Sequence, residues 1–100
     1  LDIDPEIATG IFRVYQESLT NVLRHSRANT VKVSLYFTEG LLTLTITDNG
    51  VGFNSEQIED KKTLGLLGMK ERTLMMGGSY HISSKPGEGT AVVITVPLEQ

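Results

Sequence analysis

Leu41-Leu42-Thr43-Leu44-Thr45-Ile46-Thr47-Asp48-Asn49-Gly50-Val51-Gly52 is the stretch that decides the fold. From Leu42 to Asp48 apolar and polar residues alternate with a period of two, the pattern of a strand with one covered face. Asp48 continues the parity of Leu42, Leu44 and Ile46, so a carboxylate faces the covered side and needs a partner there. An Asn-Gly pair by itself suggests a tight hairpin, but a second alternating strand should then follow at once. Here the glycines lead into the polar stretch Asn54 to Thr63, which has little to bury. The segment from Asp48 to Leu64 therefore reads as a loop.

On the N-terminal side, Val31, Val33, Leu35 and Phe37 alternate in the same way, and Glu39-Gly40 turns the chain into the quoted strand. Before them, Asp4-Pro5 supplies a side-chain cap and a proline at the first helical position. The helix predicted from there runs to about Arg27. Ile7, Ile11, Val14, Leu19, Val22 and Leu23 form its apolar stripe, and Asn29 is its expected left-handed stop. On the C-terminal side, a second helix is predicted from about Gly65 to Met76, ending at Gly77-Gly78. Strands Ser79 to Ser84 and Thr90 to Pro97 then flank a Pro-Gly turn at Lys85 to Gly89. The order helix, two strands, loop, helix, two strands predicts an α+β fold, a two-layer sandwich with a mostly antiparallel sheet and helices on one face.

The chain has 100 residues, 39% hydrophobic, enough for one core and one domain over residues 1–100. It has no cysteine, hence no disulfide framework and no thiolate metal site, which is compatible with a cytoplasmic setting. No apolar run approaches the roughly 20 residues that span a bilayer, so no direct membrane contact is expected. A formal charge of −3 with nine scattered Lys and Arg argues against nucleic acid as a partner. An anionic ligand would have to be held locally.

Four segments could hold one. Glu17 and Asn21 lie four apart on the first helix and project from one face, with Arg24 and His25 following as possible phosphate donors. A solvated polar face and helix-end cations would explain the same residues. Asp48 beside Gly50 and Gly52 suits a purine, whose exocyclic amine can donate to the carboxylate while glycine lets backbone approach. Gly65-Leu66-Leu67-Gly68-Met69 opens the second helix, where unpaired N–H groups attract phosphate; two glycines merely entering a helix would look the same. Gly87-Glu88-Gly89-Thr90 reads equally well as a plain turn.

In order, these segments resemble the nucleotide-binding boxes of the superfamily joining gyrase B, MutL, heat-shock chaperones and histidine kinases. Tyr15 to Ser26 resembles the asparagine box of sensor kinases that pair with NarL-type response regulators. Asp48 to Gly52, Gly65 to Met69 and Gly87 to Thr90 resemble the glycine boxes. The resemblance implies a Bergerat-type ATP site and a protein-histidine kinase catalytic domain, with ATP and Mg²⁺ as cofactors. By position, Asn21 would ligate Mg²⁺ and Asp48 would hold the adenine amine. Gly50 and Gly52 would admit the nucleotide. Gly65, Leu66, Gly68, Met69 and Thr90 would border the nucleotide, and Asn54 to Leu64 would be a lid. Glu17 stands where hydrolytic members keep a water-activating carboxylate, and in a kinase it would support the metal and the transfer step.

The implied partners are ATP, a phosphoacceptor histidine on a separate dimerisation domain of the same kinase, and a response regulator indirectly. His25 precedes Ser26 and His81 precedes Ile82, so neither has the acidic neighbour of such an acceptor, and His81 reads as a structural strand histidine. The alternatives are an ATP-hydrolysing clamp of the gyrase or MutL kind, whose long lid and transducer domain are not seen in this sequence, and a non-catalytic nucleotide-binding module.

Overall fold

In the computed structural model, residues 3–23, 27–52 and 63–98 are described. Helix α1 spans Pro5–Asn21, strands β1 and β2 span Val31–Thr38 and Leu41–Asp48, helix α2 spans Thr63–Met75, and β3 and β4 span Ser79–Ser84 and Thr90–Pro97. The four strands make one antiparallel sheet in the order β1-β2-β4-β3. Both helices lie on one face, α1 over β2 and α2 over β3. The expected α+β architecture is present.

Local chemistry accounts for the element boundaries. Asp4 caps α1 by accepting a hydrogen bond from the Glu6 N–H at 2.8 Å, and Pro5 occupies a first-turn position where no N–H is missed. The β1–β2 turn places Glu39 at φ 54° and Gly40 at φ 79°. Two positive φ values match the strand twist of a two-residue hairpin, and Thr38 pairs directly with Leu41. Helix α2 closes with Gly77 at φ 78°, the Gly77 N–H donating to Leu74 O and the Gly78 N–H to Thr73 O, the paired bonds of a Schellman stop.

Three boundaries differ from the sequence reading. Helix α1 ends at Asn21 and continues through Val22 and Leu23 as a wider i→i+5 turn. The left-handed residue beyond it is Arg27, at φ 53°, while Asn29 is engaged in side-chain hydrogen bonds. Helix α2 starts at Thr63, so Gly65 lies inside its first turn. No described helix is long and apolar enough to cross a membrane.

The core lies between sheet and helices: Ile11 and Val14 from α1, Leu42, Leu44 and Ile46 from β2, Met69 from α2, and Val92, Ile94 and Val96 from β4. Leu23, expected in the stripe, is 85% exposed, and the buried position on that side is Ser18 instead. Val33 and Leu35 share the parity of the core face yet remain 44% and 55% exposed. The reason is position, since β1 is the edge strand and α1 sits over its neighbour.

Candidate functional site

The two helices run antiparallel, and two contacts fix their register. A Cβ on Gly10 would stand 2.6 Å from Met76 Sδ, so this glycine admits the end of α2 against the start of α1. Eight residues later the Ser18 hydroxyl donates to Met69 Sδ at 3.3 Å, both groups being buried. Eight residues of α1 advance about 12 Å and the seven from Met69 to Met76 about 10.5 Å, so the two contacts are mutually consistent. Gly10, Glu17 and Asn21 are spaced i, i+7, i+11 and share the flank of α1 that α2 packs against. At the Gly10 end Met76 fills that flank; toward the other end come half-buried Glu17, close to the level of Met69, and half-buried Asn21, level with the first turn of α2.

Topology brings the strand residues to the same end. Helix α2 feeds β3 through Gly77-Gly78, so its N-terminus lies over the far end of the sheet, where β2 ends at Asp48 and β4 begins at Thr90. Asp48 and Thr90 are directly paired, and Thr90 is paired with Ser84. Asp48 keeps the parity of Ile46, as its sequence position requires, and is half-buried. Its Oδ1 accepts from the Gly50 N–H at 2.8 Å, while Oδ2 accepts no hydrogen bond among the described residues. The Thr90 and Ser84 hydroxyls lie 2.8 Å apart, and Ser84 Oγ also donates to Gly89 O at 2.9 Å.

The loop after Asp48 is gripped from two sides. On one side, Gly52 sits at φ 65°, and a Cβ there would fall 2.1 Å from Lys85 O. Conversely, a Cβ on Gly89 would fall 2.0 Å from Asp48 O, and the Gly87 N–H donates to Val51 O at 2.6 Å. Two segments that resembled separate boxes are thus one interlocked unit, with backbone packed where side chains cannot go. Whatever a nucleotide does at Gly52, the side its Cβ would occupy is filled by the 85–89 turn, which by itself requires glycine there.

On the other side, Asn49 Oδ1 accepts from the Asn29 and Thr30 N–H groups at 3.1 and 3.0 Å, Asn49 Nδ2 donates to Asn29 Oδ1 at 2.7 Å, and the Asn49 N–H donates to Thr30 O. The sequence reading did not single out Asn49. Its signal was an Asn that begins no second strand, which leaves its amide available for a longer-range partner.

Of the remaining expected site residues, Met69 has a place in the core. Its side chain is 3% exposed and belongs to the core, with its Sδ engaged by Ser18 and its carbonyl by the Thr73 hydroxyl. Gly68 is different, for beyond its chain neighbours and its own helix backbone no described atom lies within 4 Å of where its Cβ would be. The backbone of Gly65 and Leu66 is helical in α2. Arg24, His25 and the main part of the expected lid, residues 54–62, lie outside the described residues. His81 is exposed on β3, paired with Val93 on the outer face, rather than a held structural histidine.

A depression of about 330 Å³ opens at this end between Thr47, Asp48, Ser84, Lys85, Glu88 and Thr90, among others. Its walls are strands and their turn; Glu17 and Asn21 do not line it. Among the described residues no group of three or more His, Cys, Asp or Glu could hold a metal ion. An amide oxygen such as that of Asn21 could serve as one oxygen ligand of a Mg²⁺ ion that otherwise keeps waters and substrate phosphate oxygens.

The signature of the histidine kinase-, DNA gyrase B- and HSP90-like ATPases matches residues 6–100. Over 94% of its length the chain is 41% identical to the signal transduction histidine-protein kinase/phosphatase DegS of Bacillus subtilis, covering 25% of that protein. It is 41% identical over 97% of its length to the sensor protein VraS of Staphylococcus epidermidis, covering 29% of that protein. The chain therefore spans less than a third of these relatives. Among solved structures, the histidine kinase domain of the Erythrobacter litoralis EL346 blue-light activated histidine kinase superposes with a TM-score of 0.82 at 26% identity, over 98% of this chain and 48% of that one. The mycobacterial sensor histidine kinase MprB superposes with a TM-score of 0.71 at 27% identity, over 89% of this chain and 70% of that one. Sequence and fold agree, and the chain belongs to the family of histidine kinase-, DNA gyrase B- and HSP90-like ATPases.

Proposed function

We propose that this chain binds MgATP and presents the γ-phosphoryl group to a histidine on a separate domain of a sensor kinase, which then passes it to a response regulator. The observation that carries this reading is the convergence, at one end of the fold, of Asn21, the N-terminal turn of α2 and the Asp48–Thr90 pair. In this reading Asp48 Oδ2 accepts the adenine amine, the opposite carboxylate oxygen being already bound to Gly50. The unpaired N–H groups of α2 and the open side of Gly68 receive phosphate oxygens, which the positive end of the helix dipole favours. Asn21 supplies an amide oxygen to Mg²⁺, and the ion, when bound, neutralises phosphate charge. Glu17 shares that flank and orients water or the ion's hydration shell. Catalysis then consists mainly of positioning, since phosphoryl transfer asks little covalent chemistry of the protein.

The test uses γ-labelled ATP with the chain alone and then with a helical fragment bearing the acceptor histidine of the parent kinase. The expected outcome is nucleotide binding without self-labelling, and label on the added fragment only. Acid-labile phosphate on His25 or His81 would overturn the division of labour, and steady phosphate release with no acceptor would favour a hydrolytic clamp. Asn21→Ala should leave the melting temperature near that of the parent and remove the Mg²⁺ dependence of binding.

A further inference from the structure

The Asn49 side chain makes three hydrogen bonds to one short segment. Its Oδ1 takes the N–H groups of both Asn29 and Thr30, and its Nδ2 reaches Asn29 Oδ1. That segment is the connection that leaves α1 and enters β1, and Asn49 directly follows Asp48. The staple therefore ties the chain beyond Asn21 to the residue beside the carboxylate. From the opposite side the 85–89 turn packs against Gly52 and Asp48 backbone without room to adjust. The Asp48-Asn49 peptide is held by the Asn49 N–H bond to Thr30 O and by the pairing of Asp48 with Val31 and Thr90, and the Asn49 amide adds a side-chain restraint to these.

Resting on the nucleotide reading above, we infer that Asn49 is a positioning residue for base selection: it holds Asp48 in the orientation that leaves Oδ2 aimed at the 6-amino group of adenine. Oδ1 of Asp48 is already committed to the Gly50 N–H, so a small rotation of the Asn49 backbone moves Gly50 and redirects the whole carboxylate. Loss of the staple thus lowers selectivity for the amine more than it lowers affinity for the triphosphate, which is gripped elsewhere.

The experiment titrates ATP and the purine riboside triphosphate that lacks the 6-amino group, each with Mg²⁺, into the parent chain and into Asn49→Ala, Asn49→Asp and Asp48→Asn. The parent should prefer ATP by about 10-fold or more, the range expected for a hydrogen bond to a charged acceptor. Asn49→Ala should bring the preference down to within about 2- to 3-fold of that left in Asp48→Asn. Asn49→Asp, whose carboxylate can still accept both N–H groups, should restore most of it. A folded Asn49→Ala with undiminished preference would overturn the inference, as would an Asn49→Asp as unselective as Asn49→Ala. If Asn49→Ala does not fold, Asn29→Ala is read in its place, because it removes one of the three Asn49 bonds, along with the long Thr30 hydroxyl bond, and leaves the two backbone bonds to Asn49. A fall of about 2-fold in preference supports the role, and an unchanged preference overturns it. A parent chain that binds neither nucleotide sinks the functional reading itself, an outcome distinct from all of these.

Discussion

The Ser18 hydroxyl points at the sulfur of Met69, 3.3 Å away and 51 positions on in sequence, and this contact joins the helix carrying Asn21 to the helix whose first turn faces it. Because Met69 is buried in the core, it is a stability residue before it is anything else. Met69→Ala should lower the unfolding free energy by about 2 to 5 kcal/mol, and Met69→Leu, which conserves volume, by less than about 1.5 kcal/mol. Urea unfolding of the three proteins measures both, and equal stability for Met69→Ala and the parent would remove Met69 from the core.

Asp48→Asn keeps shape and loses charge. If the carboxylate holds the adenine amine, the substitution should weaken ATP binding by about 1.5 to 3 kcal/mol, roughly 10- to 150-fold. Calorimetric titration decides it, and equal affinities would take Asp48 out of the site.

Gly52→Ala and Gly89→Ala should each destabilise severely, on the order of 3 kcal/mol or more, since each combines a positive φ with a backbone oxygen about 2 Å from the new methyl group. Thermal melts read the loss directly. Gly40→Ala is the control, because it shares the positive φ but meets nothing within 4 Å, and should cost only about 1 kcal/mol.

Gly68→Ala should have the opposite sign. This glycine lies inside α2 beside open space, where alanine is favoured by about 1 kcal/mol. The variant should melt higher and bind ATP more weakly, and tighter binding would show that no phosphate approaches there.

Tyr80 carries a buried Oη with no hydrogen-bond partner among the described residues, and burial pushes its phenol up from 10.0 to about 12. The folded state therefore keeps its proton where the unfolded chain loses it. This contribution to stability is fully present below pH 10 and is lost as pH rises from about 10 to about 12. Tyr80→Phe should remove that part of the alkaline decline and raise stability at neutral pH by about 1 kcal/mol. Denaturation across this pH range, compared between the two proteins, provides the check.

The fold was largely legible in the sequence because its signals are local. Alternation from Leu42 to Asp48, the Asp4-Pro5 cap, the Glu39-Gly40 turn and the Gly77-Gly78 stop each act within a few residues, and the structure places strands and stops accordingly. What could not be read depends on partners distant in sequence. Leu23 and Ser18 both fit a helical stripe, and only the location of α2 decides that Ser18 is buried and Leu23 is not. Likewise the 85–89 backbone that fills the Cβ side of Gly52 is a partner no local pattern announces. Asn49 escaped notice for the same reason, as its three bonds reach back to Asn29 and Thr30.

The sheet order has a kinetic corollary. Strands β1 and β2 are joined by a two-residue turn, so this hairpin can close within about 1 to 10 μs of collapse. The β2–β4 ladder instead joins segments separated by all of α2 and β3, and Asp48 meets Thr90 only when that distant closure is complete. The hairpin alone therefore presents half a pocket, and the unfolded or half-folded chain has nothing to offer a ligand. Whatever binds between Asp48 and Thr90 draws on the fully closed sheet, and should slow unfolding by holding shut the pairing that took longest to find.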